Sequence, residues 1–282
     1  MRKITFSGGY GITTGTISGV DIALWDMLAK ESGSSLARIL GKRRQSVERY
    51  ASFSRYYDSS SATRAVSNLV SDGFKLIKLH QTSLDTLETV RNIRDELGYD
   101  LGLMVDMNCY IDFDTAREFM IKSSRYELKW VEEPVWPPDD LDSLRELNSI
   151  GPVAAGENFF SIFDFKRLLE NDCLSYYQPD VTKIGGITPF IELMGLLRAN
   201  NATLAFHNRP HNGWIGIMAS ANLGCSYDGK VLVETPPNEI PKFFSFTETI
   251  DRNSISPRGK GLGIEPIKKI PLSDSTTMLR FH

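Results

Sequence analysis

Short apolar runs recur along the chain, each ending in a polar residue and followed by a stretch with helical spacing. The runs are VERYASF (47–53), GFKLIKLH (73–80), LGLMVDMN (101–108), LKWVEEP (128–134), GPVAAGEN (151–158), LSYYQPD (174–180), ATLAFH (202–207) and VLVE (231–234). Most are continuously apolar rather than alternating, which predicts strands covered on both faces, as in a parallel sheet. The helical stretches start near Asp or Ser (Asp58, Ser83, Asp112, Ser161) and stop near Gly or Asn, as at Gly98. Eight strands alternating with helices predict right-handed βαβ units that close into an α/β barrel of the TIM type. An open, doubly wound sheet is the alternative, but no glycine-rich phosphate loop follows the first strand.

The flanks read differently. ISGVDIALWDMLAKESG (17–33) carries apolar residues at Val20, Ile22, Ala23, Leu24, Met27 and Leu28. This predicts a well-buried helix, Trp25 included, packed on the bottom or side of the barrel. The stretch ISPRGKGLGIEPIKKI (255–270) is rich in Gly and Pro and predicts an extended segment leaving the barrel. The expected organisation is therefore an N-terminal segment and helix (1–46), a barrel (47–254) and an extended C-terminal segment (255–282).

Composition narrows the function classes. The formal net charge of -3 argues against a nucleic-acid partner. No apolar run reaches the roughly 18 residues of a membrane span, and the start MRKITFSGGYG lacks the apolar core of a signal peptide. Three scattered cysteines, Cys109, Cys173 and Cys225, predict neither a disulfide framework nor a cysteine-based zinc site, and fit a reducing cytoplasm.

The chemistry lies at the strand ends. Lys78, Asp106, Glu132, Glu157, Asp180, His207 and Glu234 follow one another at intervals of 23 to 28 residues, one per βα unit. In a barrel these positions converge on one mouth, where active sites form. Asp106, Glu132 and Glu157, on successive strands, would repel one another without a cation. Their hard oxygen ligands suit Mg²⁺, with Mn²⁺ as the second choice. Lys78 and His80 are two residues apart on one strand and so face the same side. Asp180 and His207 end neighbouring strands, where an aspartate would orient an imidazole for proton transfer. Asn108, Lys183 and His211 are candidate substrate or supporting contacts.

As a set, SGVDIALWD (18–26), GFKLIKLH, VDMN, VEEP, AGEN, QPDVTKIGG (178–186), His207 and RGKGLGIE (258–265) resemble the barrel domain of the enolase superfamily. The branch resembled is that of mandelate racemase and muconate lactonizing enzyme, and within it the mandelate racemase-like group. The resemblance covers about residues 15–268. It implies a modified (β/α)7β barrel with Mg²⁺ on Asp106, Glu132 and Glu157, and a small carboxylate substrate gripped by the metal. A base would remove the proton α to the carboxylate through an enediolate. It also implies Asp180–His207 as a catalytic pair and Glu234 as a partner of the substrate carboxylate, with Lys78 helping to neutralise that group. The second strand departs from the family's usual Lys-x-Lys and reads Lys78-x-His80, which suits acid-sugar dehydratases. Members carry an N-terminal capping domain, whereas the barrel pattern here begins near residue 15. A barrel without its cap is implied, with an uncovered apolar surface that would favour a homo-oligomer. The expected function is dehydration of a sugar acid to a 2-keto-3-deoxy acid. A racemase, epimerase or cycloisomerase is the second reading, and a metal-binding remnant without turnover the third.

Overall fold

The structure, a computed structural model, describes residues 11–56, 58–80, 85–209, 213–237, 244–247 and 249–267. Eight parallel strands run in chain order: β1 (Val47–Ser52), β2 (Leu76–His80), β3 (Gly102–Asp106), β4 (Val131–Glu132), β5 (Val153–Ala155), β6 (Tyr176–Tyr177), β7 (Thr203–Phe206) and β8 (Val231–Thr235). Each pairs with the next, and β8 pairs with β1, so the sheet is closed. The helices are α1 (Ile12–Glu31), α2 (Leu36–Ile39), α3 (Ser59–Ser71), α4 (Thr86–Leu97), α5 (Phe113–Ser123), α6 (Leu141–Ile150), α7 (Ile162–Glu170), α8 (Ile187–Ala199) and α9 (Gly213–Ser226). The architecture is the barrel that the alternation predicts, with β4 and β6 shorter than their apolar runs.

Period-two alternation along the strands builds the interior in layers. The lower layer is Tyr50, Leu76, Met104, Trp130, Ala154, Tyr176, Ala205 and Leu232, seven from the strands and Trp130 from the residue just before β4. The Tyr50 and Trp130 rings meet edge to face at 5.2 Å between centroids. The outward strand faces pack with the helices into a second, larger core that includes Val47, Ile77, Val105, Phe165, Phe190 and Phe206.

The helices begin where the sequence supplies caps. Asp58, Asp112 and Asp140 accept from the backbone N–H of Ser61, Thr115 and Ser143, and Ser161 forms a capping box with Asp164. The expected cap at Ser83 lies outside the described residues.

Two expectations about the flanks are corrected. Helix α1 forms, and starts earlier than residue 17, but it is not well buried. Ile12 is 92% exposed, and Val20, Leu24, Met27 and Leu28 are each exposed by between 44% and 56%. Only a narrow stripe docks, led by Ile22 and Ala29 and fixed by polar groups. Asp21 accepts from the Thr188 N–H and hydroxyl, and Trp25 Nε1 donates to Thr188 Oγ1 at 2.9 Å. The opposite face has no cover among the described residues, so periodicity alone overstated its burial. As far as residue 267, the C-terminal segment also stays on the barrel rather than leaving it. β11 (Ser254–Ser256) pairs antiparallel with β1 and with β10 (Thr249–Ile250), and β12 (Ile264–Pro266) pairs with β9 (Phe244–Phe246).

All three cysteines are free thiols. No helix among the described residues is long and apolar enough to cross a membrane.

The capping aspartates set an acid limit to stability. Backbone and side-chain hydrogen bonds from Ser61, Thr115 and Ser143 hold the carboxyls of Asp58, Asp112 and Asp140 below the usual range. Their contribution is complete above the ordinary aspartate pKa of about 3.9 and is lost as pH falls through the lowered folded values. Asparagine caps equally well without titrating. Urea unfolding of the triple Asp→Asn variant should therefore show a shallower loss of stability below about pH 4 than the parent chain. Equal slopes would remove these caps from the acid limb.

Candidate active site and metal centre

Two residues above the aromatic layer, the same strands present Lys78, Asp106, Glu132, Gln178, His207 and Glu234. All are buried. Strand pairing sets β2 to β4 side by side, with His80 opposite Asp106 and Asp106 opposite Glu132.

Lys78 is the floor of the site. Its ammonium lies 2.5 Å from Glu132 Oε1, 2.9 Å from Glu234 Oε1 and 3.4 Å from Asp106 Oδ2. Burial works against its charge, but Glu132, Glu234 and Asp106 outweigh that and raise its pKa well above the usual lysine value. The role that the resemblance implied, neutralising a substrate carboxylate, meets a lysine already held by three acids of its own chain.

Asp106, Glu132 and Glu157 offer one oxygen each, all within 4.8 Å of one another. Glu132 is further held by Trp130 Nε1 at 3.0 Å and Gln178 Nε2 at 2.7 Å, both donating to Oε2. Glu157 is out of phase with its strand, and Gly156 corrects this. Its φ of +139° is left to glycine, and a Cβ there would lie 2.9 Å from the Gln178 backbone. Lys183 Nζ then donates to the Glu157 carbonyl at 2.6 Å. Burial, added to the charges of Asp106, Glu234 and Glu157, pushes the Glu132 carboxyl up to about 8 against the pull of Lys78. Acids crowded this closely fit a hard divalent cation in donor type and in charge.

The bases stand around this cluster. His207 Nδ1 lies 3.0 Å from Asp180 Oδ2, and Nε2 lies 2.7 Å from Glu157 Oε2. Asp180 is fixed through Oδ1, which accepts from the N–H and hydroxyl of Thr182, each at 2.7 Å. Burial alone would lower the His207 pKa. The Glu157 charge and the hydrogen bonds to Asp180 and Glu157 overcome it and raise it well above the usual value. His80 is set by the Phe53 carbonyl, 2.8 Å from Nδ1, and by Asp106 Oδ2, 3.2 Å from Nε2. Its pKa is also raised, the Asp106 hydrogen bond and charge exceeding the effect of burial. The histidines sit on β2 and after β7, three strand steps apart by way of β8 and β1.

Among the lesser candidates, Asn108 donates its backbone N–H to Asp106 Oδ1 at 2.8 Å. Lys183 is buried against Glu157. His211 lies outside the described residues. Sequence reasoning overlooked three contributors. Gln178 is the first residue of QPD, and the period-two step from Tyr176 marks it as inward-facing. Asn208 donates its N–H to Glu234 Oε2 at 3.1 Å and fixes that carboxylate; only its place beside His207 hinted at this. Glu133 is the second acid of VEEP. It is buried, and its carboxyl is pushed up to about 7 by burial and by Glu157.

Known proteins share this fold. Residues 61–270 match the Enolase C-terminal domain-like family. The chain is 33% identical over 208 residues to the L-talarate/galactarate dehydratase of Salmonella typhimurium, covering 71% of this chain and 52% of that protein. It thus spans about half the length of this curated relative. The 3,6-anhydro-D-galactonate cycloisomerase of Zobellia galactanivorans superposes with a TM-score of 0.86 at 26% identity, over 94% of this chain and 76% of that one. The L-talarate dehydratase of Polaromonas sp. JS666, solved with Mg and L-glucarate, superposes with a TM-score of 0.81 at 27% identity, over 95% and 75%. A closed eight-stranded barrel, an acid cluster at its mouth and a family match over three quarters of its length lead to one conclusion: this chain belongs to the Enolase C-terminal domain-like family.

Proposed function

We propose that this chain dehydrates a sugar acid, removing the proton α to the carboxylate and expelling the neighbouring hydroxyl as water to leave a 2-keto-3-deoxy acid. The observation that carries the reading is the Asp180–His207 pair, with its imidazole turned onto the acid cluster and a second imidazole, His80, beside Asp106. The named dehydratase relatives support the substrate class.

Asp106, Glu132 and Glu157 would hold Mg²⁺, or as second choice Mn²⁺, which also takes oxygen ligands. Bound there, the ion supplies Lewis-acid stabilisation of charge developing on the substrate carboxylate. The chain's own residues handle the protons. Asp180 accepts from Nδ1–H of His207 and so keeps Nε2 as the proton-transfer atom. One imidazole takes the C2 proton, and the electron pair of that bond moves toward the carboxylate. The C3–O bond then breaks, and the hydroxyl takes a proton from an imidazolium as it leaves. The enol that remains becomes the 2-keto acid. Glu234, fixed by Asn208 and Lys78, lines the same layer and in its protonated form would donate a hydrogen bond to the substrate carboxylate as charge develops there.

A second reading, racemisation or epimerisation, draws on the same two imidazoles approaching from different strands. Proton NMR in D₂O with Mg²⁺, against aldonic and aldaric acids, separates the two. Loss of the C2 proton signal with new 2-keto-3-deoxy resonances is the expected result, and His207→Asn should reduce the rate by about 10²- to 10⁴-fold. Exchange without water loss would replace dehydration by epimerisation. No change in any acid, with Mg²⁺ bound, would leave a metal-binding domain without turnover.

Metal binding has its own check. At about 100 times its Kd, Mg²⁺ should add about 2.7 kcal/mol to stability and raise the unfolding midpoint by about 5–10 °C. EDTA should reverse the gain, and Glu157→Ala should abolish it. An equal gain in that variant would place the ion elsewhere.

A further inference from the structure

Glu133 stands next to the acid cluster without belonging to it. Among the described residues it makes no ion pair, yet it is 2% exposed. A carboxylate so placed is tolerable only if hydrogen-bonded, and both of its oxygens are engaged. Oε1 accepts from the Gly156 N–H at 3.2 Å. Oε2 accepts from Asn158 Nδ2 at 3.1 Å and from the Cys109 thiol at 2.7 Å. The backbone is fastened to the same neighbours. The Glu133 N–H donates to the Ala154 carbonyl at 3.0 Å, and its carbonyl accepts from the Cys109 N–H at 2.7 Å.

These partners are the flanks of two proposed metal ligands. Cys109 follows Asp106 by three residues, and Gly156 and Asn158 bracket Glu157. The same short segments concentrate unusual backbone. Asn108, Cys109, Glu133 and Gly156 have φ of +47°, +55°, +43° and +139°. Non-glycine residues in this region persist only where surrounding contacts over-determine them.

We propose that Glu133 is a positioning residue for the metal centre: by tying the loop after β3 to the loop after β5, it sets the spacing of Asp106 and Glu157 and hence the Mg²⁺ affinity. The inference rests on the reading that Asp106, Glu132 and Glu157 hold the ion. Glutamine does not reproduce the Glu133 contacts without rearranging its partners. One orientation of its amide turns N–H groups on the Gly156 N–H, and the other makes Asn158 and Cys109 turn from donors to acceptors. Geometry at the ligands is then lost although shape and volume are kept.

Calorimetric titration of the whole chain with Mg²⁺ tests this, read beside thermal unfolding of the metal-free protein. Glu133→Gln should weaken Mg²⁺ binding by about 10- to 100-fold. Asn158→Ala should weaken it less, and the double variant should fall short of the product of the two effects, since both act through one clamp. A purely structural role would lower the metal-free unfolding midpoint and leave the Kd unmoved. A Glu133→Gln Kd within about threefold of the parent would overturn the proposal while the metal site stands. Failure of the parent chain itself to bind Mg²⁺ would overturn the metal reading and this inference together. If Glu133→Gln does not fold, Asn158→Ala and Cys109→Ala, each removing one donor, decide it: unchanged affinity in both rejects the clamp.

Discussion

A lysine ammonium with no access to water governs this structure. Lys78 is buried at the centre of the barrel, and moving such a charge out of water is prohibitive unless opposite charges and hydrogen bonds meet it there. Asp106, Glu132 and Glu234 do so from three other strands. The lysine needs the acids, and the acids, close enough to repel one another, need the lysine. The crowding of three acids around one cation shows in Glu132, pushed up to about 8, and His207 and His80 complete the surround. A site of this kind is prepared for a further cation and for a substrate whose charge that cation neutralises.

The barrel makes that arrangement rigid. Beneath the charged layer, Tyr50, Trp130 and Tyr176 fill the interior, and Trp130 also reaches up to donate to Glu132. Residues two apart on a strand therefore divide the work: the lower packs and the upper reacts. Departures from this alternation carry consequences of their own. Gly156 lets Glu157 leave the phase of β5 and turn onto the acid cluster. Glu133, out of phase with Glu132, passes behind the cluster and joins the loops that carry its neighbours.

Much of this was legible because its signals are local. Strand and helix periods, caps at Asp58, Asp112 and Ser161, and one ionisable residue per βα unit are properties of a few consecutive residues. They gave the fold class and located Asp106, Glu132, Glu157, Asp180 and His207. Exposure was less legible. In α1, apolar residues occur on every side, which normally indicates full burial, yet the docked stripe is narrow and Leu24 and Met27 lie bare.

By itself, then, the sequence determined a closed parallel barrel with acids and bases at its mouth. Short-range periodicity fixes which residues form each unit, and chain geometry fixes how such units close. Tertiary structure alone decided the partnerships. Lys78 meets Glu234 from 156 residues away, Gln178 holds Glu132 across 46, and Glu133 joins residues 24 before it and 25 after it. Ion pairs and hydrogen bonds act over a few ångströms in space, and no spacing along the chain encodes which distant atoms the closed sheet brings that near.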